Sequence, residues 1–283
     1  MAQKSSVWRR GARLLLQRKS ALAGAVIMLL FTLIALLAPW ISPHDPLKQD
    51  LNLVLQAPSA THLFGTDDFG RDILSRVIWG SRISLTVGLI AVGIGLIVGT
   101  TLGAIAGYKG GWLDYLILGV ADTVWAFPEI LLAIALVAIL QPGLGSAMIA
   151  LGIVTWPQYA RVARGQFMAL RNQDFVVAAK SLGARDLRLI WTHILPNALS
   201  PLIVLATMGM AGAILVEASL SFLGLGAQPP QPSWGAMLSA GRTFIYQAPW
   251  LTFIPGGAIM LTVLGFNLLG DALRDLLDPR HRT

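Results

Sequence analysis

The chain has 283 residues, 55% of them hydrophobic and only 12% charged, with a mean hydropathy of +0.68; this balance excludes an ordinary soluble domain and marks an integral membrane protein. The absence of cysteine excludes disulfide frameworks, thiolate metal sites and cysteine nucleophiles. The net charge of +7 is read as cytoplasmic loop charge rather than a nucleic-acid surface, because basic excess on a membrane chain gathers on the cytoplasmic side.

Residues 1–20 form a basic head with Lys4, Arg9, Arg10, Arg13, Arg18 and Lys19. An uncharged run, 21–40, follows, and the first transmembrane helix is set at 21–41. A cleavable signal peptide is the alternative. The run is longer than a signal core and ends at Pro39 and Trp40 instead of a small-x-small site, so it is expected to be retained. The segment 42–82 is external. In it Thr66 or Asp67 is predicted to cap a short amphipathic helix running toward Ser81. The acidic run 67–72 has a faint calcium-loop look but lacks the closing glutamate and the other oxygen ligands, so no metal is expected.

The second span is predicted at 83–106. Gly95, Gly99, Gly103 and Gly107 recur every fourth residue and make a smooth ridge, read as packing within the bundle, with a dimer contact as the alternative. The third span covers 112–140, after a turn with Tyr108, Lys109, Gly110 and Gly111, and the fourth ends near Ala160 after a break at Gln141, Pro142, Gly143 and Gly145. The fifth covers 198–225 and the sixth 250–270, with Pro229, Pro230, Pro232 and Pro249 between them. The chain is thus an all-α, polytopic membrane helix bundle of six transmembrane helices. Its five-helix core is 83–271, with a cytoplasmic loop at 165–197 and a cytoplasmic tail at 272–283. This topology puts sixteen of the 21 lysines and arginines on the side of both termini, and those termini are read as cytoplasmic.

Ionisable residues within the spans are few: Asp114, Asp122, Glu129 and Glu217. Each should face protein or a water-filled route. Glu217, with Ser221 one turn on, either lines a translocation pathway or holds two helices by a buried hydrogen bond. Asp122 and Glu129 are read as structural, Glu129 near the start of a half-helix renewed after Pro128. His44, His62, His193 and His281 all fall outside the spans, so no serine–histidine pair meets in the bilayer. There is also no phosphate-binding GxxxxGK[ST] loop. No catalytic residue and no bound cofactor are expected.

The run FVVAAKSLGARDLRLIWTHILP at 175–196 is a basic island between apolar spans. Val176, Ala179 and Gly183 at helical spacing suit a short helix with small side chains that can sit deep in a groove. Gly183 permits a sharp bend. Leu187, Ile190, Trp191 and Ile194 continue amphipathically to Pro196 at the next helix start. A helix lying on lipid headgroups through Arg185 and Arg188 is the alternative.

The spacing of Ala178, Ala179, Gly183, Leu195 and Pro196 resembles the cytoplasmic signature loop of permease subunits in bacterial ATP-binding-cassette importers. Val177 and His193 depart from that signature, standing where it has glutamate and isoleucine. The subfamily carrying dipeptides, oligopeptides and nickel is most similar. FGTDDFGRDILSR at 64–76, SFLGLGA at 221–227 and NLLGDALRDLLDP at 267–279 match it as well, above all its second, shorter permease. The resemblance implies a type I importer transmembrane domain (MetI-like) in the bacterial inner membrane. It would pair as a heterodimer with a homologous permease subunit, be energised by two ATPase subunits that carry ATP and Mg, and be fed by an extracytoplasmic substrate-binding protein. Ala178, Ala179, Lys180, Gly183, Ala184, Leu195 and Pro196 would form the ATPase-coupling loop. Asp67, Asp68 and Trp234 would contact the binding protein, the alternative being that their segments only cap the bundle. Di- or oligopeptides are the expected cargo, with a nickel chelate or glutathione as alternatives. A stand-alone channel or proton-coupled carrier would need more intramembrane charge or an inverted repeat. A signalling receptor or scaffold is a further rival class.

Overall fold

The computed structural model describes residues 18–277. The head through residue 17, and the last six residues with Arg280, His281 and Arg282, lie outside the described residues. Nine helices are named here: α1 Lys19–Ile41, α2 Ile73–Lys109, α3 Gly111–Trp125, α4 Glu129–Leu140, α5 Leu144–Leu170, α6 Asp174–Ser181, α7 Leu195–Phe222, α8 Trp234–Gly241 and α9 Trp250–Leu277. Short 3-10 turns at Leu51–Leu53 and Arg242–Phe244 and a π-helical turn at Leu189–Ile194 link them. Among the described residues there is no β-strand, only an isolated bridge between Thr66 and Asp72.

The bundle is organised around α2. Its glycine ridge lies against α5: a Cβ on Gly99, Gly103 or Gly107 would strike the backbone carbonyl oxygens of Trp156, Ala160 and Arg164 in turn. These are intramolecular contacts, in keeping with the bundle-packing reading. Without side chains on one helix the two backbones approach closely and gain dispersion along their length, which is what drives association where lipid is as apolar as leucine. Ala91, Val92, Leu151, Tyr159, Ile214 and Phe266 then fill the space where α2, α5, α7 and α9 meet. The helix α1 joins this core from outside, with Gly24 against Leu268 and Gly265 against Ile27 and Met28.

Among the described residues, four helices are long and apolar enough to cross a membrane: Lys19–Ile41, Ile73–Lys109, Asp186–Phe222 and Trp250–Leu277. The predicted third span is not straight. It is the pair α3 and α4, bent by 93° at the break before Glu129. Pro128 caps α4, and a proline both lacks the N–H and disfavours helical geometry in the residue ahead of it. The predicted fourth span, α5, has 27 residues, about 40 Å at 1.5 Å per residue. It falls below the same apolar standard because its hydrophobic stretch runs into Pro157, Gln158, Arg161 and Arg164.

Two boundaries move. No separate helix is capped by Thr66 or Asp67: the helix starts at Ile73, with Asp72 as its N-cap accepting from the Ser75 N–H, and it continues unbroken through the predicted span. The boundary at 82/83 therefore falls inside α2. At the other end α9 runs to Leu277, so the first residues of the predicted tail are helical, and Arg18 pairs with Asp275 there.

The α2–α5 contact makes a direct stability expectation. Gly103→Leu should destabilise the protein by about 1–3 kcal/mol or more, since overpacking a backbone contact leaves no flexible neighbour to yield. Gly93→Leu, whose Cβ would meet nothing within 4 Å, should be near neutral. Thermal unfolding of the two variants in detergent compares them.

Candidate functional site

At one end of the bundle the island becomes α6, a turn, the helical residues Asp186–Arg188 and the π-helical turn into α7. The turn after α6 closes as a Schellman motif. The Ala184 N–H donates to the Ala179 carbonyl (3.1 Å) and the Gly183 N–H to the Lys180 carbonyl (2.9 Å), with Gly183 at φ +84°. This geometry needs a residue that tolerates the left-handed region. The spacing of Ala179, Lys180, Gly183 and Ala184 thus has a local cause: two of these residues supply the accepting carbonyls, one the bend and one the final donor.

The element is seated on the bundle by apolar packing. Val176, Leu189 and Ile194 are buried against Phe167 of α5 and Ala198 of α7, with Ala179, Ala184 and Leu195 packed partly beneath them. Polar ties reinforce it: the Tyr108 hydroxyl donates to Asp186 Oδ1 at 2.7 Å, and the Arg171 guanidinium donates to the Gly107 and Tyr108 carbonyls, each at 3.0 Å. The opposite surface is open. Ala178, Lys180, Gly183 and Pro196 are exposed, and so are the large apolar side chains of Val177, Leu182, Leu187 and Trp191, Leu182 at 89%. Sequence periodicity had grouped Leu187, Ile190, Trp191 and Ile194 on one face. In the π-helical turn the buried pair is instead Leu189 and Ile194, because one extra residue per turn rotates the register.

Of the carboxylates within the spans, Asp114, Asp122 and Glu217 are paired, and Glu129 is exposed in the first turn of α4. Arg164 of α5 holds Asp114 of α3 with two hydrogen bonds, and Arg161 pairs with Asp122 while lying 3.9 Å from the Trp125 ring centroid. Glu217 is fully enclosed. Its Oε1 accepts from the Ser221 hydroxyl at 2.7 Å and its Oε2 from the Ser84 hydroxyl of α2 at 3.2 Å, and Ser221 Oγ accepts the Ala227 N–H in turn. One carboxylate therefore ties α2, α7 and the start of the following loop together.

The other end of the bundle carries a polar network. Asp67 is buried; it accepts the Phe69 and Arg71 N–H groups and the Arg71 Nε at 2.6 Å, with Arg76 Nε at 3.4 Å. Asp68 is half-open, and burial, with Asp67 beside it, raises its pKa. Trp234 is completely enclosed: its Nε1 donates to the Val77 carbonyl at 3.0 Å and Phe31 meets it edge-on. Trp234 is thus spent on internal contacts, whereas Asp67, for all its internal hydrogen bonds, and Asp68 both line a cavity of about 260 Å³, together with Gln49, Phe69, Gln231 and Met237.

One cluster has no signature in the sequence. His44, His62 and Asp72 are 18 and 10 positions apart, yet the fold draws one ligand atom from each to within 4.8 Å of the others. The only trace in the sequence is the predicted external location of all three. Burial alone would raise the Asp72 pKa, but it lies below the usual carboxylate range because the Ser75 hydroxyl, the His62 ring and the Ser75 N–H all stabilise the anion, with His44 nearby.

Residues 99–283 match the family described as binding-protein-dependent transport system inner membrane component, and residues 6–58 match the N-terminal TM domain of oligopeptide transport permease C. The chain is 51% identical to a dipeptide transport system permease protein of Alkalihalophilus pseudofirmus, over 98% of this chain and 91% of that one. It is 47% identical to a dipeptide permease of Haemophilus influenzae, over 93% and 92%, and 44% identical to a glutathione transport system permease protein of Pectobacterium atrosepticum, over 98% and 92%. Among solved structures, the MetNI methionine ABC transporter in an inward-facing conformation matches in fold, with a TM-score of 0.59 at 17% identity over 72% of this chain and 97% of that one.

The turn after α6 gives a local prediction. Gly183→Ala should cost about 1 kcal/mol at a positive φ, loosening the turn without unfolding the bundle. Amide exchange of residues 183–184 should accelerate while Tm of the whole protein moves little.

Proposed function

The chain belongs to the family of binding-protein-dependent transport system inner membrane components, and we propose that it carries di- or oligopeptides as one of two related permeases in its complex. As a multi-pass inner-membrane permease of an ABC importer it is a transport subunit and not an enzyme; ATP is hydrolysed on separate subunits. The dipeptide assignment follows relatives named for dipeptide transport. Glutathione, itself a peptide and the cargo in the name of a relative at 44% identity, is the second reading.

The observation that carries the mechanism is the seated element at 174–196. It is anchored on α5 and α7 through Val176, Leu189 and Ile194 and turns small and apolar side chains outward. Such a surface suits the groove of a cytoplasmic ATPase, with Ala178, Ala179, Lys180, Gly183, Ala184, Leu195 and Pro196 as the coupling loop. Both termini then lie on the ATPase side, as the charge distribution favours. Closure of two ATPases moves the element, and because it is packed rather than tethered, α5 and α7 move with it as rigid bodies, opening the route to the other side. The homologous permease covers the outward faces of α3 and α4, where Trp112, Tyr115, Leu131 and Ile139 are exposed. Glu217 and Ser221 sit at the α2–α7 seam beside the route. At the far end Asp68, with Asp67 and Trp234 stiffening the surface from beneath, meets the binding protein.

Ala178→Arg changes an exposed side chain. In the reconstituted complex it should cut uptake of a labelled dipeptide by about tenfold or more, as a desolvated charge in an interface does, and uncouple ATPase activity from the loaded binding protein, while membrane insertion stays normal. Normal uptake with normal coupling would refute the docking assignment. Uptake of glutathione in place of dipeptide would select the second reading.

A further inference from the structure

We propose that His44, His62 and Asp72 form a binding site for a divalent first-row transition-metal ion, with Zn²⁺ as the type, on the end of the bundle opposite the coupling element. The inference concerns these three side chains and their neighbours, and it is independent of the cargo.

The geometry is close to what such an ion needs. His62 Nδ1 lies 2.9 Å from Asp72 Oδ1, and His44 Nδ1 lies 3.7 Å from Asp72 Oδ2. Two ligand atoms each about 2.0–2.2 Å from a tetrahedral zinc ion are separated by about 3.3–3.6 Å, so these two edges, one to each oxygen of the carboxylate, bracket the required value. The imidazole rings stack with centroids 4.7 Å apart and a tilt of 31°, which keeps both on the same side of the carboxylate. His44 is the outermost, with its side chain 41% exposed against 11% for His62 and 2% for Asp72. It can therefore swing to close the third edge at little cost.

The supporting contacts are already in place. The Ser75 hydroxyl donates to Asp72 Oδ2 at 2.7 Å, the Ser75 N–H donates to the same oxygen at 2.8 Å, and the His44 N–H donates to Ser75 Oγ at 3.0 Å. One serine thus fixes the carboxylate and the backbone of the first histidine together, the kind of outer contact that orients metal ligands. Asp72 needs no other cation: Arg71 is directed to Asp67, and Arg76 to Asp67 and the Pro46 carbonyl. Two imidazoles and one carboxylate are a borderline donor set that favours zinc, cobalt or nickel over calcium or magnesium, which prefer all-oxygen shells. Three protein ligands leave a fourth position toward solvent on the His44 side, open to water or to a donor from another molecule. The bound ion would staple the chain at residues 44 and 62 to the first turn of α2.

The test uses the full importer complex in lipid nanodiscs, purified with a tag that contains no histidine and stripped with a chelator. Titration with Co²⁺ should give intense visible d–d bands of a four-coordinate site, saturating at one ion per copy of this chain and displaced by Zn²⁺. His44→Ala, which leaves the His62–Asp72 hydrogen bond untouched, should weaken binding about 10–100-fold and abolish the rise in Tm that Zn²⁺ gives the wild type, with an unchanged Tm in chelator as proof of folding. Bands and stoichiometry that are the same in wild type and in the variant carrying both His44→Ala and His62→Ala would overturn the proposal. So would wild-type complex that takes up no Co²⁺ in this form.

Discussion

The close approach of α2 to α5 is the contact on which the rest of the molecule depends. A glycine at every fourth position removes one wall of side chains, so the α5 backbone at Trp156, Ala160 and Arg164 comes to rest against the α2 backbone. That approach sets the height at which Arg161 and Arg164 meet Asp122 and Asp114. It also brings Phe167, near the end of α5, beside Tyr108 at the end of α2, and those two residues are the floor under α6 and the π-helical turn. The element at 174–196 therefore stands on a platform of backbone contacts, and its position is as well determined as the helix pair below it.

Charge is arranged to match. Three of the four carboxylates that the apolar spans contain are answered by a specific group: Asp114 and Asp122 by arginines of α5, Glu217 by two serine hydroxyls. Meeting each charge inside the chain lowers the penalty of holding it at membrane depth. The opposite strategy rules the end that carries Asp67 and Asp72. There a short loop with few apolar residues is held by interlocking salt bridges and backbone hydrogen bonds, with Trp250 Nε1 donating to the Thr66 carbonyl at 3.3 Å and Gly70 passing hard against the backbone of Asp50.

Much of this was legible from the chain alone, for physical reasons. Length and apolarity exposed the long helices; the glycine period exposed the α2–α5 seam; and Gly183 exposed the bend, because a positive φ leaves few other choices. Pro128 marked where α4 restarts. What escaped is equally instructive. The size of the bend between α3 and α4 depends on what packs beneath it, which no local pattern encodes. The merging of the external amphipathic stretch into α2 was hidden because Thr66, Asp67 and Asp72 are all competent caps, and the tertiary bridge between Thr66 and Asp72 decides among them. The swap of Leu189 for Trp191 on the buried face followed from a π-helical turn that a 3.6-residue period cannot anticipate. The inward burial of Trp234 and the meeting of His44 with His62 arise from loops folding back over α2, contacts of long sequence separation with no spacing to read.

Among the long helices, α1, α5, α7 and α9 each contain a proline, at 39, 157, 201 and 255, whereas α2 runs its 37 residues without one. Proline interrupts the hydrogen-bond ladder and gives a helix a compliant point; its absence leaves α2 as a stiff rod of about 55 Å, with Asp72 at one tip and Tyr108 near the other. A tilt of about 5° about one tip carries the other sideways by about 5 Å over that length. Leverage at the tyrosine tip is therefore carried along one continuous helix to the histidines and carboxylates gathered at the aspartate tip, with no proline between them to absorb the stroke.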